Sequence, residues 1–506
     1  MKIQALSAEP RAPADGELPI AGARAVATAR SPGLYDPAAL FSVLALACYV
    51  IIGLSGAGGR ALTITFPVGC VVVAVFTYVR SPPTYLAFTW WTWLLTPLIR
   101  RLFDLRYGFH AASPLLLGPL LATSVALATV LVRRRMLRST SYLPFLIATT
   151  ALMYAFLVGA IQQSPYAASY DLLTWLAPLA FGLHIALEWR QFPRLRATIS
   201  SCVLWGLVFV SVYAIWQFVD PQIWDRVWVV SAKMYSVGAP QPFVIRVFST
   251  LNAPGPFSIM LVFALLLGLG APQRWRALPL ALGLVALILT KGRSAWGAFV
   301  LGALVLQLRQ PLRSLPRQWV ALFVVILLAA PVITQPRVMT VLTGRAATLR
   351  DVESDHSFRD RRNATRQFLS TMSTNPTGTG LGSLGGASKL LTANQGAVSA
   401  LDSGPFEVYS AMGWIGGTLY MLALVAILLP IVRERRARYE PTTGAAVAAV
   451  VALLAASLFG NIFNSVSGFF LWSAVGMAIA GRTYASATET GARSTSTALL
   501  PPRASW

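Results

Sequence analysis

Arginines are the residues of this chain best placed to do chemistry, and they fall in sets. Arg246 heads the segment Arg246-Val-Phe-Ser-Thr-Leu-Asn252, and Arg293 stands in Thr290-Lys-Gly-Arg293-Ser-Ala-Trp-Gly297 between two short apolar runs. Arg359, Arg362 and Arg366 recur at i, i+3 and i+7, so on a helix they share one face. The guanidinium fork matches phosphate oxygens two at a time, so such sets suit an anion, above all a phosphate or diphosphate. Ser357-Phe-Arg-Asp360 has the form of a capping box, with Asp where Glu or Gln is usual. It predicts a helix running to about Met372 and stopping before Asn375-Pro376. Two readings of that helix stay open. It lies on anionic headgroups, or it covers a cavity, aims its arginines inward and packs Phe368 and Met372 on the spans.

Asn375-Pro-Thr-Gly378-Thr-Gly380-Leu-Gly382-Ser383 follows. Its glycines permit tight turns and close approach to a ligand, and N–H groups in such loops can hold phosphate oxygens. No Gly-Lys-Ser/Thr follows, so it is not a P-loop, and a plain structural turn is the other reading. Gly380 and Gly382 are the substrate-binding candidates within it. Next, Leu401-Asp402-Ser-Gly-Pro-Phe-Glu407 sets two carboxylates where an apolar run begins. A carboxylate there can take a proton from a hydroxyl, or it can simply sit at the positive end of a helix. Asp402 is the candidate base and Glu407 reads as the helix-end residue. His356, in the same loop, titrates in the right range and is the rival to Asp402.

The elements that must position these groups are membrane spans. The chain has 506 residues, 56% hydrophobic and only 12% charged. Soluble domains carry about twice that share of charge. The composition thus excludes a cytosolic globular enzyme and points to an all-α polytopic membrane protein of about 12–14 transmembrane helices, at roughly 20 residues per crossing. Cys48, Cys70 and Cys202 all fall in apolar runs, and with three His and no Cys/His cluster neither a metal site nor any other cofactor is expected.

Residues 1–37 read as a flexible cytoplasmic tail, without the continuous apolar core of a cleavable signal. Residues 38–333 read as the transmembrane bundle, and 334–401 as a long periplasmic loop bearing the arginine helix. Residues 402–481 complete the bundle, and 482–506 form a second flexible cytoplasmic tail. The net charge of +23 would suggest nucleic acid on a soluble protein. Here most basic residues sit in short loops between apolar runs, which excludes nucleic acid and favours both termini inside. Four basic segments fall on the outer side against that rule: Arg100–Arg106, Arg226–Arg246, Lys291–Arg293 and Arg337–Lys389. Within the first, Asp104 can pair with a flanking arginine, which predicts a structural network there; holding a second anionic ligand is the alternative.

In order and spacing, the Arg246 segment, the Lys291-Gly-Arg293-Ser294 turn, the arginine helix with its Gly-rich loop, and Leu401-Asp402 leading to Gly413-Trp-Ile-Gly416 resemble the O-antigen ligase/polymerase superfamily. Its members are bacterial inner-membrane, metal-independent glycosyltransferases of the GT-C type. The resemblance covers roughly residues 246–429. It implies transfer of a glycan from a polyprenyl-diphosphate-linked oligosaccharide to an acceptor glycan, with Arg246, Arg293 and Asp402 as the catalytic group. Arg359, Arg362 and Arg366 would join them in binding substrate. Membrane lipids and other polysaccharide-assembly proteins are further candidate partners. Ligases of the superfamily carry His-Asn where this chain has Asp402-Ser403, so a polysaccharide polymerase is the expected activity and a ligase the alternative. A lipid-linked oligosaccharide flippase is the alternative from another class. It would need charges along a path through the spans, whereas here they gather at span ends.

Overall fold

The computed structural model describes residues 37–56, 59–309, 375–383, 403–433 and 440–498. Among these residues every regular element is helical and no strand occurs, as expected of an all-α polytopic membrane protein. Lipid offers no hydrogen-bond partners, so an apolar run must satisfy its backbone internally, which a helix does. In chain order the helices are α1 (Pro37–Ser55), α2 (Ala61–Arg80), α3 (Pro82–Tyr107), α4 (Leu117–Ser124), α5 (Leu127–Val132), α6 (Leu143–Gln162), α7 (Pro165–Leu187), α8 (Phe192–Val219), α9 (Ile223–Ser231), α10 (Pro254–Leu269), α11 (Ala277–Leu289), α12 (Arg293–Leu308), α13 (Gly404–Arg433), α14 (Pro441–Ser457) and α15 (Ser465–Ala498). Prolines open several of them, where a missing N–H costs nothing. Among the described residues, 7 helical stretches are long and apolar enough to cross a membrane. The apolar helices α10, α12 and α14 are shorter.

The spans sort into centre and periphery. In α7, 78% of the most apolar stretch is buried within the protein, against 17% in α1. The large apolar side chains that α1 and α2 leave outside, such as Val43, Ile51, Val68 and Val72, suit a lipid boundary. At the centre, α7 and α15 touch through small residues. A Cβ on Gly476 would stand 2.4 Å from the Gly182 carbonyl oxygen, and close backbone contact of this kind is how helices associate in lipid. The three cysteines are free thiols, Cys70 and Cys202 buried and Cys48 exposed on α1.

The loops of the described helices gather at two ends. One end carries the ion pairs Arg133–Glu188 at 3.1 Å and Arg196–Glu440 at 2.9 Å. These residues come from the loops expected on the inner side. The opposite end gathers the C-terminus of α3, the segment between α8 and α10, the turn between α11 and α12, and the N-terminus of α13. Those are the segments expected outside.

Candidate functional site

At that second end the two arginine segments meet. Helix α11 stops at Thr290, and the chain turns through Lys291 and Gly292 into α12, whose first residue is Arg293. Arg246 Nε donates to the Thr290 carbonyl at 3.1 Å, and its Nη1 donates to the Ser236 carbonyl at 2.9 Å. Lys291 Nζ reaches back to the Val244 carbonyl at 2.7 Å. Three cations are thus held around one turn, and the N-terminus of α12 adds the positive end of its dipole. Lys291 also takes φ 55°, a left-handed conformation that costs a non-glycine residue roughly 1 kcal/mol or more. Arg246 and Arg293 are half-buried, so the cluster stands at the surface of the bundle end.

The segment that carries Arg246 is braced from behind. Arg101, from α3, forms a fully buried ion pair with Asp225 of α9, and its Nη2 donates to the Ser249 carbonyl at 2.5 Å. Asp225 also accepts from Tyr213 OH at 3.0 Å and from Gln217 Nε2 at 2.7 Å. Gln217 Oε1 in turn accepts from the N–H groups of Phe248 and Ser249, both at 2.9 Å. Burial pushes the Asp225 carboxyl up, and Arg101, Gln217 and Tyr213 pull it back toward the ionised form. Beside this network Arg100 Nε pairs with Asp104 Oδ2 at 3.3 Å and lies over the Trp228 ring at 4.6 Å. The structural network expected of the 100–106 segment is present. It is larger than expected, because Arg101 takes its partner from α9.

The Gly-rich loop is a strap laid across α6, α7 and α13. Its N–H groups are spent on the protein: Thr379 on Ser410 O at 2.8 Å, Gly380 on Ala411 O at 3.0 Å, Leu381 on Ala155 O at 2.9 Å, and Gly382 on Asp171 Oδ2 at 2.8 Å. In return Trp414 N donates to Pro376 O at 2.9 Å. Gly413, at φ 64°, breaks α13 where the strap crosses it, and a Cβ there would stand 2.4 Å from Pro376 O. These glycines approach neighbouring backbone closely, the structural-turn reading of the loop. Gly380 shows the constraint most sharply, with φ 75° and a position where a Cβ would stand 2.2 Å from Gly159 N. Gly380→Ala is therefore expected to lift the strap and to destabilise the protein by about 2–5 kcal/mol, combining overpacking with backbone strain. A thermal unfolding midpoint in detergent equal to that of the unaltered protein would contradict this.

Two carboxylates lie beside the strap. Asp171, near the start of α7, accepts Gly382 N–H and the Thr174 hydroxyl, the latter at 3.1 Å. Glu407, near the start of α13, is only 6% exposed. Of the residues chosen from sequence, Arg246 and Arg293 are brought together, and Gly380 and Gly382 lie on the strap. Asp402, Arg359, Arg362, Arg366 and the rival His356 fall outside the described residues. Asp171, inside α7, is not among the residues the sequence singles out. An ionisable residue just inside a span is itself a signal.

Residues 278–421 match the family model described as O-Antigen ligase. The match spans α11, the Arg293 turn, α12, the strap and the first half of α13. Arg246 and its brace precede it. No curated protein matches the chain. The match bears out, over residues 278–421, the resemblance drawn from the sequence, and over those residues it supports the O-antigen ligase/polymerase superfamily.

Proposed function

We propose that the protein is a polysaccharide polymerase of the bacterial inner membrane, with both termini cytoplasmic. It transfers glycan from a polyprenyl-diphosphate-linked oligosaccharide to an acceptor sugar hydroxyl at the periplasmic face. The observation that carries the proposal is the convergence of Arg246, Lys291 and Arg293 on one turn at one bundle end. The leaving diphosphate gains negative charge as its bond to the sugar breaks. Fixed cations at that point stabilise the transition state more than the ground state. In this proposal the arginines do the work that a metal ion does elsewhere, and Asp402 orients or deprotonates the acceptor. The O-antigen ligase domain supports ligase/polymerase-type chemistry in general. Asp402-Ser403 in place of His-Asn favours the polymerase over the ligase.

Purified protein given a polyprenyl-diphosphate oligosaccharide in excess chelator should extend it. Movement of the lipid-linked sugar across vesicles without any transfer would establish the flippase instead. Arg359, Arg362 and Arg366 are proposed to face the donor from the loop. Replacing all three with glutamine should abolish polymer formation while the protein reaches the membrane at its usual level. A triple variant with near-normal product would assign that helix to headgroups.

A further inference from the structure

Lys291 stands where the backbone favours glycine. Its φ of 55° lies in the left-handed region, while the glycine of the turn is the next residue, Gly292, at an ordinary φ of −92°. A residue that breaks a local backbone rule is kept for a gain elsewhere, often at a functional site. Here the gain lies in the side chain. The ammonium crosses the turn to the Val244 carbonyl at 2.7 Å and stands 5.9 Å from the centroid of the Phe218 ring, within cation–π range. Phe218, near the end of α8, is itself fixed to the residue before Val244. Its carbonyl accepts from Phe243 N–H at 2.7 Å, and the two rings meet edge to face with centroids 5.6 Å apart.

Three bonds join the Arg246 segment to the end of α11 and its turn. Val247 N–H donates to Leu289 O at 3.4 Å, Arg246 Nε donates to Thr290 O at 3.1 Å, and Lys291 Nζ donates to Val244 O. The first two act at Arg246 and the residue after it; the lysine holds the segment on the other side of Arg246. Two further bonds of Arg246, from N–H to Val237 O at 3.0 Å and from Nη1 to Ser236 O at 2.9 Å, tie it to its own loop and not to the turn. We propose that Lys291 is a positioning residue, which through Val244 sets the spacing between Arg246 and Arg293. The inference rests on the glycosyl-transfer proposal above, in which those two arginines meet the donor diphosphate. Fixed donors stabilise a developing anion only where they are aimed at it, and a displacement of about 1 Å costs on the order of 10²-fold in rate.

The test uses purified full-length protein and a polyprenyl-diphosphate oligosaccharide, and it reads kcat, donor binding and the unfolding midpoint in detergent. The unaltered protein must turn over; if it does not, the glycosyl-transfer proposal fails, and not this one. Lys291→Met keeps an unbranched stem and the left-handed backbone but loses the ammonium. Lys291→Gly loses the ammonium and relieves the backbone. The glycine variant should therefore unfold at a higher temperature than the methionine variant, yet kcat should fall in both by about 10–10²-fold with donor binding retained. Lys291→Arg, which keeps a cationic donor for the Val244 carbonyl, should recover most of the rate. A kcat that returns with stability in Lys291→Gly would make the lysine a structural pin and overturn the inference. Donor binding lost in step with kcat would overturn it too, since that is the mark of a direct contact with the diphosphate. Should the methionine variant not fold, the glycine and arginine variants decide: equal rates in the two refute the positioning role.

Discussion

Arg101→Met is expected to destabilise the protein by about 3–5 kcal/mol, the usual cost of removing one partner of a buried ion pair. Neither side chain of the Arg101–Asp225 pair reaches solvent. Without Arg101, the Asp225 carboxylate keeps only Tyr213 and Gln217, two neutral donors, against its burial. The Ser249 carbonyl also loses the guanidinium that holds it. Ser249 sits at φ 51°, a conformation that the chain keeps only while its surroundings enforce it. The damage should therefore spread to the Arg246 segment. Asp225→Asn alone should cost a comparable amount, and Arg101→Met with Asp225→Asn should cost less than the sum of the two. Chemical denaturation in detergent micelles reads all three. Single variants within about 1 kcal/mol of the unaltered protein would mean that the pair is not the brace described.

The fold was legible because membranes simplify it. Among the described residues the long apolar stretches are helical. Boundaries were less legible. Residues 115–132 form a short 3₁₀ turn followed by α4 and α5. Helix α13 starts at Gly404 and is broken at Gly413. Hydropathy reports the length of a run, and it does not report a kink imposed by a strap that arrives from elsewhere in the chain. The pairing of α7 with α15 through Gly182 and Gly476 was equally invisible, since in sequence those glycines are only small residues in apolar company.

The site was legible on its cationic side only. Arginines expected on the outer side break the charge rule for membrane loops, and that singled out Arg246 and Arg293 without any knowledge of contacts. What holds them could not be read. Gln217 lies within an apolar helix and looks incidental until its amide bridges Asp225 to the N–H groups of Phe248 and Ser249. Glu407 was taken for a helix-end charge because its position in sequence fits that role. Gly380 and Gly382 were chosen for closeness to a ligand, and sequence cannot tell a ligand from a neighbouring helix.

Arg293 and Arg246 are both expected to lose turnover on substitution. Arg293 opens α12, so its guanidinium and the helix N-terminus act on the same region, and the proposed donor diphosphate would meet both. Removing one such donor to a developing oxyanion costs on the order of 10²–10³ in rate. Arg293→Ala should lose at least that much turnover. Arg293→Lys should lose most of it too, because a lysine keeps the charge but cannot present two parallel N–H groups. The loss should appear in kcat more than in donor binding, since the contact strengthens as the diphosphate departs. Arg246 instead spends Nε on Thr290 O and Nη1 on Ser236 O, so it also holds the turn in place. Arg246→Lys should therefore lower stability as well as turnover. Unfolding midpoints measured beside transfer rates separate the two. Full polymer production by both Arg293 variants at normal protein levels would remove Arg293 from the chemistry and leave the cluster a structural feature of the bundle end.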